Sequence, residues 1–442
     1  MAAQDRGRGR TGTRSGSRSR APKVLLIIAA CLALVVGGTI GWNAFASRPQ
    51  GTPEAVEFAD AEISPALRDA TILALGEATH GNAEFQLARL ALAEKLPEFR
   101  AIMLEEDFGH VALVDEFVQG GPGTAEEAAE RFGFRLNRTE QMAELLQGLR
   151  DRNDALPEAE RVRLVGVDTQ RVEASKGILI SWLEANAGGE VPAERAQSIA
   201  AELADWNDAD PVPDPERLRA AVEDAASLID AGSEDATSTD SANTAAPDRR
   251  LAAGAAAALA QNLELETASG SGYTQIRARI MAENAVRTVA EEHERGNEHS
   301  LFFAHNGHVD RVSAAMSAMG VRDVGELLAE KYGDAYRVIG TDLHKGSLAT
   351  GDGTGEREVS LSNRTPLRGI FAGTREGYLE FDSASAANRE LLARPVRMAS
   401  TGDGVQQWHA WVPQFSSVKM TPSEAYDALI LVDRVTPTTP LS

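Results

Sequence analysis

Glu77 and His80 stand three residues apart in the stretch LALGEATHGNAEF, directly after an apolar run. A carboxylate and an imidazole at that spacing can share a proton, or bind one ion from a single turn. Similar groups recur at other run ends. Glu105, Glu106 and Asp107 follow RAIML, Asp168 follows RLVGV, and His305 and His308 follow SLFFA. Three of the eight histidines in the chain fall at such places. Arg89, nine residues beyond His80, lies about two and a half turns along the helical stretch that follows.

This set supports two chemistries. In one, a histidine held by a carboxylate acts as a general base on water while cationic groups stabilise the oxyanion developing at a carbonyl. No cofactor is needed for it, and an unperturbed histidine pKa of about 6.5 suits neutral pH. In the other, Glu77, His80, His305 and His308 ligate a divalent metal that activates the water. Other routes lack their motifs. No G-x-S-x-G elbow is present, Ser300 begins its run instead of ending it, and no Walker-type glycine loop occurs. The single cysteine, Cys31, sits in an apolar stretch, which excludes an internal disulfide, a cysteine metal site and thiolate catalysis.

Several elements must bring these groups together. TILAL (71 to 75), RAIML (100 to 104), RLVGV (163 to 167) and SLFFA (300 to 304) are short apolar runs of the kind that form strands covered on both faces. YRVIG (336 to 340) and DALILV (427 to 432) are further strand candidates. Helical spacing separates them, in AEFQLARLALAEKL with Asn82 as its expected cap, in TEQMAELLQGLRDRND and in RIMAENAVRTVAEEH. Thr124 and Glu127 predict a capping box. Alternating strands and helices give an α/β fold with a mostly parallel sheet flanked by helices. In such sheets ligands bind beyond the carboxyl ends of the strands, where the residues above collect. Residues 171 to 250 read as a helical insertion, its segment 233 to 249 as a polar loop.

The chain of 442 residues, 43% hydrophobic, can bury a large core. Its formal net charge is -22. The tail 1 to 23 carries seven basic residues against Asp5, so the remainder is near -28 once that +6 is set aside. A body this acidic is repelled by nucleic acid. Residues 24 to 46 contain no charge and predict a transmembrane helix, with the Arg-rich tail cytoplasmic and the body outside. The alternative is a signal peptide cleaved near Ala46. A linker (47 to 60) leads to the main domain, 61 to 442.

At these motifs the sequence resembles the erythromycin esterase family. LGEATHG is similar to its opening Gly-Glu-x-x-His-Gly, AIMLEEDF to its strand ending in a glutamate matched at Glu105, and FAHNGHV to its Ala-His-Asn-x-His segment. GVDTQ resembles the family's strand followed by an aspartate, and KYGDAYRVIG and YDALILVDRVTPTTPL resemble its closing parts. RIMAENAVRTV resembles the helix written Arg-Asp-x-x-Met-Ala-x-Asn, with Ala278 where an Asp is expected. The likeness runs from about 62 to 440 and is weakest over 171 to 250. It implies a hydrolase that opens an ester or lactone with water and no covalent serine intermediate. His80 would be the general base. Glu77 and Glu105 would orient the imidazole and the water. His305 and His308 would bind the carbonyl or assist proton transfer, with Arg89 and Asp168 at the substrate. A metallohydrolase and a non-catalytic envelope ligand-binding protein are the competing readings.

Overall fold

A computed structural model describes residues 48–206, 212, 214–231, 248–351 and 356–441. The compact unit Pro49–Ser442 contains all the elements below. The segment 24 to 46 lies outside the described residues, as does most of the polar loop 233 to 249. Among the described residues no helix is long and apolar enough to cross a membrane.

Among the described residues eleven strands are formed: β1 (Val56–Glu57), β2 (Ile72–Glu77), β3 (Ala101–Asp107), β4 (Arg163–Asp168), β5 (Ser300–His305), β6 (Tyr336–Gly351), β7 (Glu356–Ser362), β8 (Glu376–Glu380), β9 (Val396–Ala399), β10 (Ser417–Met420) and β11 (Ala428–Val435). Nine share one sheet in the order β1-β8-β11-β6-β2-β5-β3-β4, with β7 paired to β6. Pairing is parallel from β11 through β6, β2, β5 and β3 to β4. It is antiparallel for β1, β7 and β8. β9 and β10 make a separate two-stranded ladder.

Alternate residues of the central strands feed two apolar layers, as the period of two requires. Leu73, Leu75, Ile102, Leu104, Leu301 and Phe303 join one core, packed by helices α1 (Ala83–Lys95), α2 (Phe108–Val118) and α3 (Glu140–Asp154). Ile72, Ala74, Met103, Phe302 and Ala304 join the other. Being buried on both faces is why these strands read as unbroken apolar runs.

Helices α4 (Glu173–Asn186), α5 (Ala193–Ala204) and α6 (Pro215–Ala231) fall within 171 to 250, and α7 (Arg249–Glu266), almost all of it beyond that range, shares with them a third core around Trp182 and Trp206. Hydrogen bonds tie this layer to the end of β4. Thr169, just past β4, donates from Oγ1 to Ala258 O, and Asn262 donates from Nδ2 to Thr169 O at 2.9 Å. Helix α8 (Ser271–Glu294) then leads back to β5, and the short α9 (Asn306–Val309) and α10 (Val324–Tyr332) follow it.

The expected strand 336 to 340 is the start of a much longer one. β6 leaves β2 after the pair Leu75 and Ile339, then runs on to Gly351 alongside β11 and β7. The β6–β7 hairpin therefore projects beyond the carboxyl end of β2. Asn82 also differs from expectation. It occupies the N-cap position of α1 without capping it; its Nδ2 donates instead to Ser347 O (2.7 Å) and Thr436 O (3.0 Å). The capping box of Thr124 and Glu127 is formed.

Candidate active site

Glu77 is the last residue of β2, and the turn after it carries His80. Two glycines make that turn possible. A Cβ on Gly76 would lie 2.2 Å from Asn306 Oδ1, and one on Gly81 would lie 1.7 Å from Ala349 O on the hairpin. Glu77 Oε1 meets His80 Nδ1 at 2.6 Å, while Oε2 accepts from Arg89 Nη2 at 2.8 Å. Arg89 is buried on α1 and turns its Nη1 to Met142 Sδ. Burial pushes the Glu77 carboxyl up, but Arg89 and His80 outweigh it and hold it below its ordinary value. For His80 burial acts downward, yet the Glu77 hydrogen bond and the Glu105 charge raise it overall.

His305 ends β5 directly opposite Glu77 in the parallel register. Its ring lies 4.9 Å from the His80 ring. Gly307 N–H donates to its Nδ1 at 3.2 Å, which assigns the proton to Nε2, facing Ala78 O at 3.3 Å. Burial, with His80 beside it, depresses His305 to about 4, so it stays neutral at ordinary pH.

Glu105 sits between several donors. Its Oε1 accepts from Arg277 Nη2 at 2.9 Å and lies 3.1 Å from His308 Nε2, and its Oε2 accepts from His305 N–H at 2.8 Å. Burial opposes ionisation, but His308, His80 and Arg277 hold this carboxyl well below its usual range. His308 Nδ1 lies 2.9 Å from Asp323 Oδ1. Although burial acts downward, Asp323 and Glu105 raise His308 to about 10, so it is an imidazolium clamped on both nitrogens. Arg277 also pairs with Asp168, Nη2 to Oδ2 at 2.6 Å. Glu106, next to Glu105 on β3, turns away from these groups and accepts from Phe134 N–H and Asn137 Nδ2.

The rim thus holds Asp323, His308, Glu105, Arg277 and Asp168 in one chain of contacts and Arg89, Glu77 and His80 in another, with His305 between. Four carboxylates (Glu77, Glu105, Asp168, Asp323) face three cations (Arg89, Arg277, His308), leaving one negative charge in excess when His80 is neutral. His80 is the most accessible of them, with 21% of its side chain exposed, and among the described residues no hydrogen bond engages its Nε2.

Of the nine residues singled out in the sequence, Glu77, His80, Arg89, Glu105, Asp168, His305 and His308 come to this rim, but not all face outward; Glu106 and Asp107 bond instead to Phe134, Asn137 and Arg171. Arg89 and Asp168, expected at the substrate, are sealed in ion pairs behind it. His308 is likewise held by carboxylates on both sides. Nor do the proposed metal ligands converge: among the described residues no three His, Cys, Asp or Glu groups are placed to hold one ion. A histidine protonated between two carboxylates has no lone pair to give a metal. Two members were missed. Arg277 is the first residue of the string Arg-x-x-x-Met-Ala-x-Asn, so its signal was present beside Ala278, which is buried in the apolar layer. Asp323 carries no motif, and only the fold reveals it.

Residues 97–435 match the family model described as erythromycin esterase. The chain belongs to the erythromycin esterase family. Glu105, Asp168, Arg277, His305 and His308 lie inside the matched span, and Glu77, His80 and Arg89 precede it. Solved structures share the fold. A protein from Bacillus cereus is 20% identical, with a TM-score of 0.69, over 89% of this chain and 96% of that one. A succinoglycan biosynthesis protein is 16% identical at 0.68 over the same shares. A mutant of erythromycin esterase EreC in its open conformation is 19% identical at 0.61, over 86% and 97%. Membership of the family makes a hydrolase acting on small-molecule esters or lactones the coarse functional assignment.

Proposed function

We propose that the protein hydrolyses a carboxylic ester or lactone with a water activated by His80. The observation that carries this reading is an accessible imidazole whose Nδ1 is fixed on Glu77 while Nε2 is left open. In the proposed step Nε2 takes a proton from water, the oxygen attacks the carbonyl carbon, and the C–O bond to the alcohol breaks. The departing alkoxide recovers the proton, giving an acid and an alcohol. The negative excess of the rim favours the imidazolium that forms midway. A macrolide is a candidate substrate, because a structural neighbour is named as an erythromycin esterase.

The test incubates the purified full-length chain with a panel of simple lactones and macrolides, and reads mass. Gain of one water is expected with the unmodified protein. His80→Ala should lower that rate by roughly 10²–10⁴-fold. Equal turnover by both proteins would remove His80 as the base. The site is further proposed to work outside the cytoplasm, anchored by residues 24 to 46. Protease applied to intact cells should then degrade the body, and survival of the body until lysis would refute that orientation.

A further inference from the structure

The rim described above is built of carboxylates, imidazoles and guanidinium groups, which gives the apolar part of an ester nothing to rest on. Two segments beside it supply such a surface. The β6–β7 hairpin is fastened to the turn that carries His80: Ala349 N–H donates to Gly81 O at 2.9 Å and Asn82 Nδ2 to Ser347 O at 2.7 Å. The segment 401 to 416 is fastened to the same turn. Thr401 N–H donates to Ala78 O at 3.0 Å, and Thr79 and Thr401 form a parallel bridge, so the segment leaves β9 in the direction β2 runs. It also grips the hairpin. Asp403 Oδ1 accepts from Gly351 N–H at 3.0 Å, and Gln407 exchanges two bonds of 3.1 Å with the Ser360 backbone.

On this segment Trp408, His409 and Phe415 pack on one another instead of on a core. Ring centroids lie 4.0 Å apart for Trp408 and His409, 5.2 Å for Trp408 and Phe415, and 5.3 Å for His409 and Phe415. Trp408 is 47% exposed and Phe415 54%. Exposed aromatic rings that hold each other in place form a preorganised apolar surface, costing little further ordering when a ligand covers them. Val312 and Met319, two more of the exposed large apolar residues, lie on the segment that follows His308. Among the described residues, four of the five exposed large apolar groups thus lie on segments that leave the site, and the fifth, Val56, is on the edge strand β1.

We propose that Trp408 and Phe415, braced by His409, form the subsite that binds the apolar body of the ester or lactone and sets the preference for large substrates. The inference rests on the hydrolase reading for its substrate class. The attachment of both segments to Ala78, Thr79, Gly81 and Asn82 argues for substrate as the occupant, since these residues flank the base itself.

The test compares p-nitrophenyl acetate with p-nitrophenyl octanoate, using the full-length protein and its Trp408→Ala, Phe415→Ala and Trp408→Phe variants. Loss of either ring should raise KM for the octanoate by about tenfold, with kcat little changed and the acetate within about twofold, as expected for removing a remote apolar contact. Trp408→Phe should restore most of the loss. Equal effects on both esters, or none on either, would overturn the subsite. Calorimetric binding of octanamide, which needs no hydrolysis, separates the two ideas. Weaker binding by Trp408→Ala supports the subsite even where neither ester is cleaved, an outcome that would count only against the hydrolase reading, whose own test is the lactone and macrolide panel. Ester cleavage without chain-length discrimination, or no octanamide binding by the unmodified protein, sinks the subsite.

Discussion

His80 is held so that its basicity depends on one carboxylate, and Glu77 in turn is held by Arg89. Because the histidine works as a base only when neutral, raising it above 6.5 moves activity toward higher pH. The acid limb of kcat/KM should therefore lie above 6.5 in the unmodified protein. Glu77→Gln removes the charge that favours the imidazolium, so the limb should move down while the maximal rate falls. A pH–rate profile of both proteins checks this, and a limb that does not respond to Glu77→Gln would mean another group sets it. His308 gives a separate signature, in stability instead of rate. Its pKa is raised on folding to about 10, so its contribution is fully present below the unfolded value near 6.5 and is lost as pH rises through about 10. Melting temperature should fall through that window, and should fall less steeply in His308→Gln. Parallel curves for the two proteins would show that His308 does not carry the linkage.

At the scale of elements, the turn after β2 depends on backbone approaches that no side chain could share. Gly81→Ala drives a Cβ into the Ala349 carbonyl, and backbone on both sides leaves no flexible atom to yield. A loss of roughly 1–3 kcal/mol in stability is expected from such overpacking. Activity should fall further than stability does, because the hairpin and the His80 turn share this contact; denaturant titration beside kcat measures both. Unchanged activity in Gly81→Ala would show that the hairpin's position is not coupled to the base. The same elements explain what could be read from sequence. β2, β3, β4, β5 and β11 are visible because central parallel strands are apolar throughout, and polar residues at their ends stand out against those runs. β6 beyond Gly340 reads TDLHKGSLAT, where polar residues and glycine interrupt the pattern, so its extension was not legible. β1, β7, β8, β9 and β10 lie in antiparallel pairs, and no apolar run marks them. Asn82 looked like a cap because capping is the commonest local use of asparagine, whereas its partners Ser347 and Thr436 are distant in sequence.

The whole molecule adds a field to these local contacts. Charge composition was legible from the start, whereas the ion pairs that use Arg89, Arg277 and Asp323 appear only once separate strands and helices meet. Outside the tail 1 to 23, whose charge is +6, the chain of formal charge -22 is near -28, and the rim itself carries one negative charge in excess, so the body and the site have the same sign. A cationic ester should be drawn toward this rim and an anionic one repelled, with the effect set by ionic strength because exposed charges are screened beyond about 10 Å at 0.1 M salt. For a cationic ester kcat/KM should accordingly fall, roughly tenfold, as salt rises from low to high. A neutral ester of the same shape should change little. The comparison controls for salt effects on folding and on apolar contacts, which the two substrates share. Equal salt curves would show that the field of the acidic body does not reach the approach to His80, and that charge selects nothing at this site.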